Sequence, residues 1–247
     1  MYPRAPLMLA PPNSVFGIFF VYGLPFDERR PAGAALMPKK RINVYIDGFN
    51  LYHSTLQHTH PDCRWLNLLE LSKRLINPAT EEINNVYYFS ALTSWIPDRA
   101  KKHLLYIHAL RTVGVKDILG KFSLRERKCP LCAGRYLAHE EKKTDINIAI
   151  NLLADAVADK FDTALILSGD SDLAPVTTKL KQLCPGKKIG ILVPMGQSAM
   201  NLKQHADFFK KIQAKDLKKS LLPQQVTYNG KIITAPAGWL PIHTPKP

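Results

Sequence analysis

The chain has 247 residues, 46% of them hydrophobic and 22% charged, an ordinary globular balance for one large domain or two small ones. Its 34 Lys+Arg against 20 Asp+Glu leave a formal net charge of +14, which favours polyanions such as nucleic acid as partners and says nothing of fold. No run of 18 consecutive apolar residues argues for a membrane span, and four cysteines are too few for a disulfide-stapled secreted scaffold, which points to a reducing cytoplasm.

Residues 1–40 form an extension broken by Pro3, Pro6, Pro11, Pro12, Pro25, Pro31 and Pro38, and are expected to be disordered or loosely attached. The apolar patch at 15–22, with Arg4 before it and Ala32-Gly33-Ala34-Ala35 after it, imitates a signal-peptide core, but the prolines and Asp27-Glu28-Arg29-Arg30 fit that reading poorly. Met37 directly precedes the first good strand and is an alternative translation start, which an intact-mass measurement would settle. From Ile42 the pattern changes to short β-branched or aromatic runs separated by helical stretches, the mark of a parallel sheet covered by crossover helices. Strands are expected at 42–46, 86–91, 115–120, 164–168 and 189–193, five in all. Helices are expected at 65–76, with Leu68, Leu69, Leu71 and Leu75, and at 98–113, with Leu104, Leu105, Ile107 and Leu110. Ile146, Ala149, Ile150, Leu153, Ala156 and Val157 trace the clearest helix, with Thr144 or Asp145 as its cap. A further helix over 173–183 stops by Pro185-Gly186. Beyond Lys210 the chain turns basic and then proline-rich, and Lys231-Ile232-Ile233-Thr234 with Trp239 suits either an arm packed back on the domain or a disordered tail.

Two acidic segments follow expected strands directly: Asp47-Gly48-Phe49-Asn50 and Ser168-Gly169-Asp170-Ser171-Asp172. In an open parallel sheet the carboxyl ends of the strands line the crevice where ligands bind, so the two segments can converge if their strands are neighbours. Asp145, at the start of the clearest helix, can face the same crevice. Four carboxylates in one pocket raise one another's pKa, a conflict that a divalent cation removes. Hard oxygen ligands suit Mg²⁺ or Mn²⁺, and such a cation activates water and steadies an in-line displacement at phosphorus. An acidic pocket on a basic protein is therefore what phosphodiester hydrolysis needs, the bulk charge holding the phosphate backbone and the local charge the metal. Taken singly, each motif also suits a turn or a helix cap; the pairing of two carboxylates and a glycine in Ser168-Gly169-Asp170-Ser171-Asp172 exceeds what one cap requires.

The blocks Val44-Tyr45-Ile46-Asp47-Gly48-Phe49-Asn50-Leu51-Tyr52, Glu141-Lys142-Lys143-Thr144-Asp145 and Leu167-Ser168-Gly169-Asp170-Ser171-Asp172-Leu173-Ala174-Pro175-Val176 resemble, in order, the signatures of the NYN domain, a branch of the PIN-like nuclease superfamily, and of its LabA-like members in particular. The resemblance covers residues 41–211 and leaves the two ends, 1–40 and 212–247, outside it. It implies a Rossmann-like, PIN-like three-layer α/β fold with a central, mostly parallel five-stranded sheet and helices on both faces. It implies Mg²⁺ or Mn²⁺ dependence and cleavage of RNA, with Asp47, Asp145, Asp170 and Asp172 as the acidic set. By the same resemblance Asn50 positions a water or phosphate and Ser168 orders the loop that carries the ligands; Ser168 is also a candidate substrate contact.

Cys129-Pro130-Leu131-Cys132 sits in a basic insertion at 121–143. The pair is half of a zinc site, since a structural site takes four ligands. His139 is the third candidate by spacing, and Cys63, His53, His58, His60 or His103 the fourth; reduced structural cysteines or a redox-sensitive pair are the alternatives. Cys184, beside Pro185-Gly186, reads as structural. Arg125, Arg127, Lys128, Lys142 and Lys143 in this insertion are candidate RNA contacts because they are chained to the Asp145 block, and Tyr136 could stack on a base; a solvated face is the plainer reading of any one run.

These readings converge on a metal-dependent endoribonuclease. A rival is a non-catalytic RNA-binding or regulatory module working through the basic surface and the CxxC loop, whose RNA affinity would survive EDTA and aspartate variants. A phosphatase of the haloacid dehalogenase type also places an aspartate after its first strand, but wants a second two residues on, where this chain has Phe49.

Overall fold

The computed structural model of the chain describes residues 38–57 and 59–241. The signal-like patch, Met37 and His58 lie outside the described residues. Strand β1 (Lys40–Asp47) explains the layering: Ile42, Val44 and Ile46 point to one face of the sheet and Tyr45 to the other, and all four are buried. β1 runs into α1 (Gly48–Leu51), which widens into a π-helical turn at Tyr52–Leu56, and a short 3₁₀ turn follows at Pro61–Cys63. Next come α2 (Leu68–Arg74), β2 (Glu81–Ser90), α3 (Pro97–Thr112) and β3 (Lys116–Leu119). The antiparallel pair β4 (Lys121–Lys128) and β5 (Arg135–Lys142) forms a separate hairpin. The second half runs α4 (Thr144–Val157), β6 (Thr163–Leu167), α5 (Ala174–Leu183), β7 (Lys188–Val193), α6 (Met200–Gln204), β8 (Phe208–Lys211) and α7 (Ala214–Lys218), then the hairpin β9 (Gln225–Tyr228) and β10 (Lys231–Thr234).

The main sheet has the order β3-β2-β1-β6-β7-β8, every pairing parallel. It holds six strands where sequence periodicity predicts five. The added strand is β8, whose four residues Phe208-Phe209-Lys210-Lys211 are too few and too basic to register as a buried run, and whose lysines suit a sheet edge. β2 also begins five residues earlier than predicted, in the polar stretch that pairs with the start of β1. One core lies against α2, α3 and α7, and the other against α4, α5 and α6, giving three layers. The chain winds outward through β2 and β3, returns across the sheet, and winds outward again from β6. The reversal therefore falls between β1 and β6, where the loops after the two strands diverge and leave a crevice.

Helix α2 is shorter than the predicted 65–76. Asn67 caps it, accepting from Glu70 N at 3.0 Å, while Trp65 and Leu66 before the cap hold the C-terminal segment: Trp65 Nε1 donates to Pro223 O at 2.8 Å, and Leu66 bridges Leu221. Residues 212–241 pack back on the domain. Ile233 is buried, Trp239 packs at a tilt against Trp65 and edge-on to Tyr106, and Tyr228 lies flat on His108. Among the described residues no helix is long and apolar enough to cross a membrane.

Candidate metal centre

Asp47 closes β1 and at once caps α1. Its Oδ1 accepts from Asn50 N at 2.9 Å, and its Oδ2 accepts from Ser168 Oγ at 3.2 Å. Gly48 is required here by close approach: a Cβ would lie 2.5 Å from Tyr88 Cε2 and 2.8 Å from Phe89 O. The side chain of Asn50 reaches across the sheet reversal, its Oδ1 accepting from Gly169 N at 2.9 Å. Ser168, wholly buried, also accepts from Asp170 N at 3.0 Å, and Asp170 Oδ1 accepts from Asp172 N at 2.9 Å. A chain of hydrogen bonds thus locks the loop after β1 to the loop after β6. Ser168 is a brace with no surface to offer substrate, which corrects its reading as a substrate contact. The one carbonyl oxygen on the Asn50 side chain is likewise committed to the loop.

Helix α4 brings the third element. The residue before it, Lys143, adopts a left-handed φ of 81° and makes no side-chain cap bond; the cap function falls instead to Glu141, whose Oε1 accepts from Thr144 N at 3.1 Å and Thr144 Oγ1 at 2.5 Å. The helix therefore begins at Thr144, and neither Thr144 nor Asp145 caps it as predicted. This start turns Asp145 into the crevice: carboxylate oxygens of Asp145, Asp170 and Asp172 all lie within 4.8 Å of one another. The buried Asp47 lines the same cleft of about 260 Å³, together with Asn50, Asp145 and Asp170.

The electrostatics are those of uncompensated negative charge. Burial is the main force raising Asp47 to about 6; Asp145 and Asp170 add to it, and the bonds from Asn50 and Ser168 oppose it. Asp145 is likewise raised to about 6, by burial first and then by Asp170, Glu141 and Asp172. Carboxyl groups held this far above their ordinary value, with oxygens this close, fit a hard divalent cation, and the donor set suits Mg²⁺ or Mn²⁺.

Of the residues that line the cleft, Phe49, Glu141 and Gln197 escaped sequence reasoning, while His53 and Thr144 were read only as a zinc ligand and a helix cap. Glu141 sat inside a quoted motif without a role. Gln197 carries no sequence signal at all; its Oε1 is buried without a partner and packs on Gly169, where an added Cβ would collide with it. His53 lies at the rim, its ring roughly parallel to that of Phe49 at 6.1 Å.

The basic insertion is the β4–β5 hairpin. Arg127 and Lys142 are both engaged by Glu140, at 2.5 Å and 2.8 Å, so part of the expected positive charge is neutralised in place. Arg125, Lys128 and Lys143 are exposed. Cys129 and Cys132 sit at the hairpin tip, away from the proposed partners. His139 pairs with Leu124, four rungs below the last pair Lys128–Arg135, or about 14 Å along the ladder, and its ring lies on Trp95 at 3.6 Å. Cys63 is wholly buried in the core, His103 is bonded to Tyr88, and among the described residues no third metal-capable side chain gathers with the two cysteines. A zinc site completed within the chain by His139 and these residues is therefore not formed.

Residues 41–213 match the family described as NYN domain. The chain belongs to the NYN domain family. The match places it in the PIN-like nuclease superfamily and covers every residue of the acidic cleft. Among curated proteins, the 6-hydroxy-3-succinoylpyridine 3-monooxygenase of Pseudomonas putida is 26% identical in an alignment 204 positions long that covers 69% of this NYN protein and 64% of that one. The match thus spans less than two-thirds of the length of that relative. A crystal structure of a protein of unknown function from Vibrio parahaemolyticus superposes with a TM-score of 0.50 at 21% identity, covering 74% of this chain and 97% of the other, a likeness of fold.

Proposed function

We propose that this NYN protein is a metal-dependent endoribonuclease. The observation that carries the reading is the meeting of Asp145, Asp170 and Asp172, their oxygens within 4.8 Å of one another, beside the buried Asp47 at the sheet reversal. Asp145, Asp170 and Asp172 would hold Mg²⁺ or Mn²⁺, with Asp47 supplying charge from beneath. A cation so held supplies a Lewis acid that makes water a stronger nucleophile and offsets charge building on phosphate oxygens. The chain's own part is positioning. Ser168 and Asn50 fix the spacing of the two acidic loops, Glu141 and Thr144 fix the start of α4, and Arg125, Lys128 and Lys143 offer exposed charge to a phosphate backbone. The carboxylates gathered here suit a hard cation and hydrolysis, which is the ground for preferring that reading to the activity named for the 26%-identical relative.

The test is cleavage of labelled single-stranded and structured RNA by the purified chain with Mg²⁺, Mn²⁺ or EDTA, beside Asp47→Asn and Asp170→Asn. Each variant removes charge with little change of volume. Cleavage is expected to need the metal and to fall in both variants by more than the roughly 10–100-fold typical of losing a group that merely supports a ligand. Undiminished turnover in both variants overturns the assignment. RNA binding without cleavage under every metal condition transfers it to a binding module.

A further inference from the structure

The tip of the β4–β5 hairpin holds two cysteines in an arrangement that their own chain does not complete. The loop closes on itself: Cys129 N donates to Gly134 O at 2.8 Å, Ala133 N donates to Cys129 O at 2.9 Å, and Ala133 takes a left-handed φ of 58° to make the turn. Cys129 and Cys132 therefore stand three positions apart on one tight turn. Gly134 leaves room beside them, since a Cβ there would stand 3.4 Å from Cys132 Sγ. The neighbouring side chains face solvent, Leu131 being 95% exposed, and the tip belongs to neither hydrophobic core.

A structural zinc ion takes four ligands in a tetrahedron. Two thiolates on a projecting tip are half of that set, and His139 and Cys63 are held elsewhere. We propose that two copies of this chain join tip to tip through one Zn²⁺, bound by Cys129 and Cys132 of each copy. A second copy is the natural donor of the missing half, because identical half-sites related by a two-fold axis complete each other without further design. Charge supports the same occupant. Zn²⁺ with four thiolates carries two net negative charges, and each tip sets against them an excess of positive charge, Arg127 and Arg135 being paired with Glu140 and Glu126 and Lys128 being exposed beside the loop. Without the metal these basic tips repel one another. The inference stands apart from the nuclease reading, since the bridge lies at the far end of the hairpin from Glu141 and the acidic cleft.

The test uses the full chain, purified without a metal-binding tag, with mass in solution from light scattering and zinc content from elemental analysis. The expected result is a dimer with one zinc per two chains, which becomes monomeric on chelation and re-forms with Zn²⁺ but not with Mg²⁺. Cys129→Ser and Cys132→Ser should each be zinc-free monomers whose thermal unfolding matches that of the parent in chelator, while Asp170→Asn should remain dimeric whatever its effect on RNA. Co²⁺ in place of Zn²⁺ should give the intense sulfur-to-metal absorption of a tetrathiolate. One zinc per chain in a monomer overturns the proposal, as does a metal-free Cys129–Cys132 disulfide in the freshly isolated protein, or a dimer that persists in both serine variants.

Discussion

Asp47 and Asp145 keep their protons up to about pH 6 in the metal-free chain, two units or so above an ordinary aspartate. Because these folded-state values are raised, the stabilisation they bring is complete below the unfolded value and is lost as pH rises through 6. His103 acts in the opposite sense: burial lowers it to about 4, so the fold loses stability as pH falls below the ordinary histidine value. The two effects separate in a variant. Measured in chelator between pH 5 and 7.5, the thermal midpoint of Asp145→Asn relative to the parent should rise with pH, and saturating Mn²⁺ should remove that advantage by stabilising the parent alone. A difference that stays flat across the window contradicts the account. At limiting metal, RNA cleavage should fall as pH drops through about 6, and added metal should move that fall to lower pH, because protons and cation compete for the same oxygens. At this scale the sequence was informative where chemistry requires a residue type: all four aspartates were legible as a group because each follows a strand or opens a helix. Roles that depend on who donates to whom were not. Ser168 and Asn50 could be placed near the cleft, yet only coordinates reveal that their oxygens are spent on bracing it, and Gln197 has no neighbour in sequence that hints at its position.

Helix α4 carries Asp145 at one end and is fastened to the sheet at the other by a buried polar cluster. Asp155 Oδ2 accepts from Tyr45 Oη at 2.9 Å and from Asn43 Nδ2 at 3.2 Å, and its Oδ1 accepts from Lys160 Nζ at 3.0 Å. Asn84 and Asn85 complete the set by donating to Asn43 Oδ1 at 3.1 Å and 3.3 Å. Asp155→Leu would strand Asn43 and Tyr45 in the core while Lys160, largely in water, escapes to solvent. The expected loss is about 2–4 kcal/mol, the scale of two unsatisfied buried groups, read from urea unfolding. A loss under about 0.5 kcal/mol would mean that the cluster is not what holds the helix. Periodicity had located α4, α3 and five of the six sheet strands, since their apolar residues recur at helix or strand spacing over enough positions to stand out. It failed for β8, for the shortened α2 and for the β4–β5 hairpin, whose residues are mostly exposed and so carry no burial pattern to read.

Across the whole molecule the net charge of +14 coexists with a centre made of carboxylates. Such a surface should bind RNA with a steep dependence on salt, and the exposed, unengaged cations of the hairpin should account for part of the slope. Replacing Arg125 and Lys128 together by alanine should lower the slope of log affinity against log salt by about 2, with little change in the rate of cleavage at saturating RNA; an unchanged slope would remove the hairpin from the interface. Arg127 and Lys142, already engaged by Glu140, should contribute less. The general charge was plain from composition, but its division between free and neutralised residues depends on the register of β4 against β5, which no count of residues reveals.

The bond from Ser168 to Asp47 joins residues 121 positions apart. A chain emerging from the ribosome can complete β1 early, but β6 must be synthesised and paired before the acidic loops meet, and parallel pairing across such a separation is slow. Nascent and truncated chains that lack β6 therefore have no assembled acidic centre, and the proposed nuclease would be silent toward the message and ribosomal RNA that surround it until its own synthesis has passed that point.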